Sequence, residues 1–397
     1  MKIEQRQKFL ENLVESLELP ADAYERAKKR YEDLGEWFGR DTSTCRENNP
    51  HIFPQGSFRL GTAIRPIEEN ESYDLDLACS LRSGYSCATH SQKDLKDAVG
   101  NELELYRRAR GVAAAKEEKH RCWRLEYADH LNFHMDIVPG IPAQAGRQQV
   151  LLKAMESYGL GSDLAANVAR LAVSITDDRT PNYKIISEDW LISNPEGYAQ
   201  WFESRMRGKG LTLLEKAQVD AIPIYKRKTP LQRVIQILKR HRDQMFSKDP
   251  DVKPISVIIT TIAANAYVAG SSLVEAMDSV LAALQGFAES GDSVLPNPVN
   301  PAENFADRWT MPQYQHLNLR ENFRGWVWQA SKDFETLSAT EDVQVLVEIA
   351  KTRFSVHPSA ETLSKSLGLV LAPAIQVSAP KDIGEAYARP WNRGSAE

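Results

Sequence analysis

Apolar positions near the start of the chain recur every three to four residues, which is the spacing of one face of a helix. This pattern predicts two amphipathic helices, over residues 3–17 and 21–38. A similar stripe begins after Thr229-Pro230, where a capping hydroxyl and a proline in the first turn indicate a helix start. We therefore expect helices on both sides of a central region with a different pattern.

In that central region, apolar and polar side chains alternate, which is typical of half-buried strands. Over residues 73–79 the alternation places Asp74 and Asp76 on one face, about 6–7 Å apart along the strand. Two parallel carboxylates repel each other unless a cation lies between them. Hard divalent cations such as Mg²⁺ take oxygen ligands, so the pair is a candidate metal site for phosphoryl transfer.

Residues 120–127 and 131–138 also alternate, on either side of a short connection, and predict a hairpin. Asp136 falls on the polar face of its second strand and is the expected third carboxylate. Asp129 is a competing third acid, but its place in the connection favours Asp136. His134 shares the face of Asp136, and a hydrogen-bonded or exposed strand histidine is favoured there over a metal ligand.

Gln55, Gly56 and Ser57 follow an apolar run at residues 52–53 and precede a short predicted helix at 58–63. Glycine allows the backbone to approach closely, and the first turn of a helix presents unpaired amides to a phosphate. Alone, such a dipeptide is more often an ordinary turn. Followed by two acids on one strand and a third on another, it favours a phosphate and metal site.

Lys239 lies on the flank of the apolar stripe in the helix that begins at Pro230, where its ammonium can reach a cleft. A solvated basic patch near the end of this helix is the alternative interpretation. The patterns divide the chain into four parts: N-terminal helices that brace the core (1–45), a catalytic lobe (46–215), a helical lobe (216–370) and a mobile tail (371–397).

Composition narrows the class of protein further. With 397 residues, a net charge of −5 and a pI near 6.0, the chain lacks the excess of cations that broad nucleic-acid binding requires. Its 4 cysteines have irregular spacing, which favours neither a disulfide framework nor a zinc site. No signal peptide is visible, and polar residues within 254–274 argue against a membrane span. We expect a cytoplasmic protein with no membrane partner.

Three segments of the sequence resemble a known family. The residues that carry the resemblance are Phe53-Pro54-Gln55-Gly56-Ser57-Phe58-Arg59-Leu60-Gly61-Thr62, then Asp74-Leu75-Asp76, then Met135-Asp136-Ile137-Val138-Pro139. This Gly-Ser, Asp-x-Asp, Asp string is similar to that of the bacterial CD-NTases, relatives of cyclic GMP–AMP synthase and oligoadenylate synthase. The resemblance covers most of the chain and implies an α+β fold. That fold has a polymerase-beta-like nucleotidyltransferase core with a mixed sheet, a helical C-terminal lobe and a central cleft.

The resemblance also implies roles for individual residues. Gln55, Gly56 and Ser57 match the turn that holds the donor triphosphate, and Lys239 and Ser256 match two further phosphate contacts on the helical lobe. The three aspartates match the carboxylates that bind two Mg²⁺ ions, for which Mn²⁺ can substitute. The implied product is a cyclic di- or trinucleotide made from ATP, GTP or other nucleoside triphosphates. It would activate a separate effector protein in antiphage signalling.

Two differences from animal relatives are informative. Val257 stands where those enzymes carry a base-stacking tyrosine, so base recognition must come from elsewhere. Their zinc-binding insertion is absent, so activation by duplex DNA is not implied. Some family members are conjugated to other proteins through the C-terminal end, which residues 371–397 would allow. A linear oligonucleotide or RNA-tail nucleotidyltransferase and a catalytically silent nucleotide-binding scaffold are the rival functions.

Overall fold

The computed structural model describes residues 1–68, 71–127, 133–207 and 228–370. The helices in those ranges are α1 (Ile3–Leu17), α2 (Ala21–Gly39), α3 (Gly56–Leu60), α4 (Gln92–Ala109), α5 (Ala145–Ser157), α6 (Ser162–Ala169), α7 (Pro195–Met206), α8 (Pro230–Met245), α9 (Ser256–Ala266), α10 (Leu273–Glu289), α11 (Leu319–Ala339), α12 (Val343–Phe354) and α13 (Ala360–Leu367). The strands are β1 (Pro50–Pro54), β2 (Tyr73–Leu81), β3 (Glu117–Glu118), β4 (Trp123–Tyr127), β5 (Phe133–Pro142), β6 (Val173–Ile175), β7 (Leu191–Ser193), β8 (Pro296–Asn297) and β9 (Asn300–Asn304). Within the described ranges, no helix is long and apolar enough to cross a membrane.

Strands β1 to β7 form one mixed sheet. Its main path runs β1-β2-β5-β4-β3, and β6 and β7 extend it from β5. The central strands β2 and β5 are parallel, and their neighbours pair antiparallel. The pairing of β4 with β5 confirms the hairpin that alternation predicts. Its connection, with the competing acid Asp129, lies outside the described residues.

One face of this sheet forms one side of the first of two hydrophobic cores. Leu75 and Leu77 of β2 and Met135 and Ile137 of β5 are fully buried there. Helix α2 packs on β1 and α4 packs on β5, so these helices cover the apolar face. Because side chains alternate along a strand, burying one set directs the other set to the opposite face. The polar side chains of β2 and β5 are thereby gathered on one surface.

A second hydrophobic core surrounds α8, which packs against α9, α10, α11 and α12. The structure divides the two N-terminal helices between the cores, because α1 packs on α8, α10 and α13 whereas α2 packs on β1. Helices α5, α6 and α7 also contribute to the second core, although the sequence assigns them to the catalytic lobe. The predicted lobe boundary itself falls within residues 208–227, outside the described part of the chain.

Helix α8 begins where its sequence predicts. The Thr229 hydroxyl accepts a hydrogen bond from the backbone N–H of Gln232, whose side chain bonds back to the backbone of Thr229. This capping box and Pro230 fix the first turn. The predicted helical lobe is not entirely helical, because residues 296–304 form the β8–β9 hairpin.

Candidate active site

The polar face of the sheet carries a row of charged side chains across three strands. Asp76 of β2 is in register with Asp136 of β5, and Asp136 is in register with Arg124 of β4. Side chains at directly paired positions of neighbouring strands lie on the same face. The structure therefore brings the predicted third carboxylate beside the predicted pair and adds an arginine that sequence analysis did not single out.

Arg124 holds Asp136 in a two-pronged hydrogen bond. Its Nε donates to Oδ1 and its Nη2 donates to Oδ2 of Asp136, both at 2.7 Å. A guanidinium that donates in this way fixes the plane of the carboxylate as well as its position. A signal for this pair was present in the sequence, since alternation places Arg124 on the polar face of the predicted hairpin.

A second polar row lies beside the first. His134 of β5 is in register with Asp74 of β2 and Glu126 of β4. Its Nδ1 lies 3.7 Å from Asp74 Oδ1, and its Nε2 lies 3.5 Å from Glu126 Oε1. The histidine is therefore flanked by two carboxylates. Asp74 itself reaches towards solvent, with 69% of its side chain exposed.

Asp76 is the most perturbed acid of this face. Burial, followed by the negative charges of Asp74 and Asp136, raises the pKa of its carboxyl to about 7. Lys239 and Arg124 offset part of the effect. Negative charge is thus concentrated on this part of the sheet beyond what nearby cations balance.

The Gly-Ser turn lies directly against this acid. The backbone N–H of Gln55 donates to the carbonyl of Asp76 at 2.8 Å, and its side chain donates to the carbonyl of Leu77 at 3.3 Å. Gly56 has a φ of +61°, and a Cβ at this position would lie 2.2 Å from Asp76 Oδ2. Only glycine allows both this backbone conformation and this approach. The turn and the acid therefore form one structural unit.

A buried arginine anchors the helix that follows the turn. Arg59 of α3 is 1% exposed and donates to both carboxyl oxygens of Glu196, each at 2.9 Å, and to Glu203 at 2.6 Å. Both glutamates belong to α7. Sequence analysis missed this cluster, although two glutamates seven residues apart lie on one helix face and indicate a shared cation.

Helix α8 clamps the chain just beyond α3. Gln232 donates to the carbonyl of Leu60 at 2.9 Å, Gln236 to Ala63 at 2.8 Å, and Lys239 to Thr62 at 3.0 Å. The three donors are four and three residues apart along the helix, so they share one face. This ladder joins the second core to the Gly-Ser turn.

Lys239 is a buried cation of this helical wall. It is 7% exposed, and burial, followed by repulsion from Arg242, lowers the pKa of its ammonium to about 8. Arg242 donates to the hydroxyl of Ser256 at 2.8 Å and forms an ion pair with Asp243 at 2.7 Å. Ser256 is the first residue of α9, as the resemblance implies.

A cleft of about 930 Å³ lies between these groups. The structure brings most of the predicted site residues together around it: Gln55, Gly56, Ser57, Asp74, Asp76, Lys239 and Ser256. Asp136 is not among the lining residues and lies beside Asp76, facing Arg124. Carboxylates thus line one side of the cleft and cations another.

These carboxylates can be tested as ligands for a divalent cation. Oxygen donors suit Mg²⁺, and a bound cation would relieve the repulsion that raises the pKa of Asp76. Among the described residues, no three side chains of histidine, cysteine, aspartate or glutamate already form a metal-binding group. The oxygens of Asp74 and Asp76 are therefore the donors in the cleft that fit a divalent cation, whereas both oxygens of Asp136 accept hydrogen bonds from Arg124.

Comparison with known proteins agrees with this geometry. Residues 50–139, which contain the turn and all three acids, match the family model "Cyclic GMP-AMP synthase DncV-like, nucleotidyltransferase domain". Over 376 residues the chain is 29% identical to a c-di-GMP synthase of Roseivirga ehrenbergii, a match that covers 90% of this chain and 88% of that protein. It is 26% identical over 319 residues to the cyclic dinucleotide synthase CdnG of Bradyrhizobium diazoefficiens, covering 77% and 70%.

The fold has solved counterparts. The structure of B. diazoefficiens CdnG in complex with GTP matches with a TM-score of 0.63 at 18% identity, covering 91% of this chain and 98% of that chain. This likeness confirms the predicted α+β fold class, with a mixed-sheet nucleotidyltransferase core and a helical C-terminal region.

Proposed function

We propose that this chain is a bacterial CD-NTase and that it joins nucleoside triphosphates into a cyclic dinucleotide. The observation that carries the proposal is the pairing of Asp76 with Asp136 beside the Gly56 turn, in a cleft whose other wall holds Lys239. This arrangement offers carboxylates for divalent cations and donors for a triphosphate in one cavity. Its two curated relatives are named as cyclic dinucleotide synthases.

Asp74, Asp76 and Asp136 would hold two Mg²⁺ ions, with Mn²⁺ as a substitute. Bound there, the ions supply a Lewis acid for the acceptor hydroxyl and a counter-charge for the departing pyrophosphate. The Gly56 turn lets the backbone approach the triphosphate without a side chain in the way. The Lys239 ammonium uses one hydrogen on Thr62 and has two more for phosphate oxygens.

The reaction proceeds in two rounds on this site. A ribose hydroxyl of one nucleotide attacks the α-phosphorus of another, and pyrophosphate leaves. In the second round the remaining hydroxyl of the linear product attacks its own α-phosphorus, a second pyrophosphate leaves, and the ring closes. Because Arg124 already donates to both oxygens of Asp136, that carboxylate is better suited to holding charge than to accepting the hydroxyl proton.

Product analysis tests the proposal. Purified protein is incubated with four radiolabelled nucleoside triphosphates and Mg²⁺ or Mn²⁺, and the products are treated with phosphatase and separated by chromatography. We expect a phosphatase-resistant product that falls by about 1000-fold in the double variant D74N/D76N, since several kcal/mol of transition-state stabilisation are lost. A ladder of phosphatase-sensitive products would instead support the linear polymerase.

A charge-matched variant provides the control. Asp41 and Asp189 are 85% and 92% exposed and lie outside the cleft, so D41N/D189N removes the same charge without touching the site. It should retain full activity, and D74N/D76N should retain the wild-type circular dichroism spectrum. Full activity in D74N/D76N would contradict the proposal. Triphosphate binding without any product would support the silent scaffold.

The resemblance supports a cellular setting that goes beyond the reaction. We infer that the product is a second messenger in antiphage defence, made in the cytoplasm and read by a separate effector protein. We expect no strong nucleic-acid binding, in keeping with the net charge of −5. The segment proposed for conjugation, 371–397, lies outside the described residues.

A further inference from the structure

One wall of the cleft is formed by the β8–β9 hairpin and the residues just after it. Asn297, Glu303, Phe305 and Arg308 line the cavity from this segment. None of them carries a role in the reaction described above. Because Val257 provides no aromatic ring, this wall is where recognition of a base can be sought.

Asn297 fixes the position of Glu303. Its Oδ1 accepts a hydrogen bond from the backbone N–H of Val299 at 3.0 Å, and its Nδ2 donates to Glu303 Oε2 at 2.7 Å. Asn297 is buried, so both of these bonds are sheltered from water. The amide is thereby oriented by the backbone, and it orients the carboxylate in turn.

Among the residues that the structure describes, Glu303 forms no ion pair with a lysine or arginine, and its hydrogen-bond donor is Asn297. Burial raises the pKa of its carboxyl, and the hydrogen bond from Asn297 and the charge of Arg121 offset part of this shift. Arg121, however, is engaged with Asp177, its Nε lying 2.8 Å from Oδ2. The structure thus keeps a half-buried carboxylate at the cleft wall with hydrogen-bond acceptors to spare.

We propose that Glu303 recognises the Watson–Crick edge of a guanine base in the cleft. The inference rests on the proposed function, and it adds the identity of the base. Guanine presents two parallel donors, N1–H and the 2-amino group, which match the two oxygens of a carboxylate. Adenine presents an acceptor at N1, which a carboxylate repels. Phe305, packed edge to face against Tyr198 with ring centroids 6.0 Å apart, adds an apolar surface to the same wall.

The substitution Glu303→Gln gives a sharp test, because glutamine has nearly the same shape but offers one acceptor and one donor. That pair matches adenine and mismatches guanine, while the glutamine oxygen can still accept from Asn297. We expect the ratio of kcat/KM for GTP to that for ATP to fall by about 100-fold or more. Glu303→Ala should lose the preference without reversing it.

Inosine triphosphate separates recognition from a structural role without any variant. It keeps N1–H but lacks the 2-amino group, so the wild-type protein should bind it more weakly than GTP in isothermal titration. In Glu303→Ala, GTP and inosine triphosphate should bind alike. If Glu303→Gln and Glu303→Ala change the affinities for GTP, inosine triphosphate and ATP equally, Glu303 is structural and the inference is overturned.

The binding measurement also distinguishes the two proposals. Glu303-dependent preference for GTP in a protein that makes no cyclic product would support the base assignment and contradict the proposed reaction. Formation of a cyclic product without any effect of Glu303 on base preference would support the proposed reaction and contradict the base assignment. Absence of binding to all three nucleotides would overturn the base assignment, and absence of both binding and product with all four nucleoside triphosphates would overturn the proposed reaction.

Discussion

The sheet wall of the cleft positions its charges by strand register, whereas the helical wall positions its charges by hydrogen bonds to backbone carbonyls. Asp76 and Asp136 are neighbours because β2 and β5 pair in register. Lys239 is fixed because its ammonium donates to the carbonyl of Thr62, on the chain that follows the Gly-Ser turn. One wall is therefore built by a regular sheet and the other by a clamp between two hydrophobic cores.

The two walls also differ in the direction of their pKa shifts. The pKa of Asp76 is raised to about 7, mainly by burial and then by neighbouring acids, and the pKa of Lys239 is lowered to about 8, mainly by burial. Both shifts favour the neutral form of the group. Each wall therefore gains when a ligand of opposite charge binds, as metal ions do for the acids and a triphosphate does for the lysine.

Gly56→Ala should break the contact between the turn and the sheet wall, and among the single substitutions that test the two walls it should have the largest effect. The new Cβ would meet Asp76 Oδ2 at 2.2 Å in a backbone with a φ of +61°. We expect activity to fall by about 100-fold or more, since a displacement of 1 Å at the reacting groups has this effect. Chemical denaturation should show a loss of about 1–3 kcal/mol in the free energy of unfolding.

Gly111→Ala is the matched control for backbone strain. Gly111 has a similar φ of +64°, but nothing lies within 4 Å of its Cβ position. It should cost about 1–2 kcal/mol of stability through the left-handed backbone and leave activity unchanged. Equal activity in the two alanine variants would show that the close approach of Gly56 to Asp76 is unimportant.

Substitution of Arg124 tests whether strand register alone is enough to position Asp136. If the two-pronged bond to Asp136 positions that carboxylate, Arg124→Gln should lower kcat roughly 10- to 100-fold, the range for groups that orient metal ligands. Mn²⁺ binding, followed by calorimetry, should tighten because a competing cation has gone. Opposite changes in the two measurements would not arise from simple unfolding.

Arg124→Lys separates charge from geometry. Lysine keeps the positive charge but cannot donate in parallel to both oxygens of Asp136. We expect its kcat to stay as low as that of Arg124→Gln. Full activity in the lysine variant would mean that Arg124 only balances charge, and register would then account for the position of Asp136.

More of the sheet wall than of the helical wall could be predicted from the sequence. Alternation with a period of two places Asp74 and Asp76 on one face of their strand, and it places Asp136 on the polar face of its own strand. Burial of the intervening apolar residues fixes these orientations. It also predicted the β4–β5 hairpin, which is confirmed. The parallel pairing of β2 with β5 depends on contacts between distant segments, which no local pattern encodes. The catalytic roles of the three acids remain predictions.

The helical wall shows what local pattern leaves out. Periodicity placed Lys239 on the flank of its helix, but its depth and its bond to Thr62 depend on how two cores meet. The same holds for Arg59, whose partners Glu196 and Glu203 lie more than a hundred residues away. Glu303 was missed because its orientation comes from Asn297 across an irregular hairpin that has no distinct sequence signal.

The smallest expected effect concerns the charge of Lys239. With a pKa of about 8 in the free protein, its ammonium is mostly charged at pH 7 and loses its proton as the pH rises. Triphosphate affinity should therefore fall roughly fourfold between pH 7.0 and pH 8.5, by linkage of protonation to binding. Titration calorimetry of Lys239→Arg, which stays charged, measures the part of the pH dependence that belongs to the nucleotide.

Folding stability should respond to the same group with the opposite sign. The pKa of Lys239 lies below its ordinary value of 10.5, so between pH 8 and 10.5 the unfolded chain binds more protons than the folded one. The free energy of unfolding should then rise with pH in this window, relative to Lys239→Met. If triphosphate affinity falls while the free energy of unfolding rises with pH, the positive charge of Lys239 favours ligand binding and opposes folding. If both quantities fall together in the wild-type protein but not in Lys239→Met, the charge of Lys239 supports the fold, and the contrast between the two walls fails.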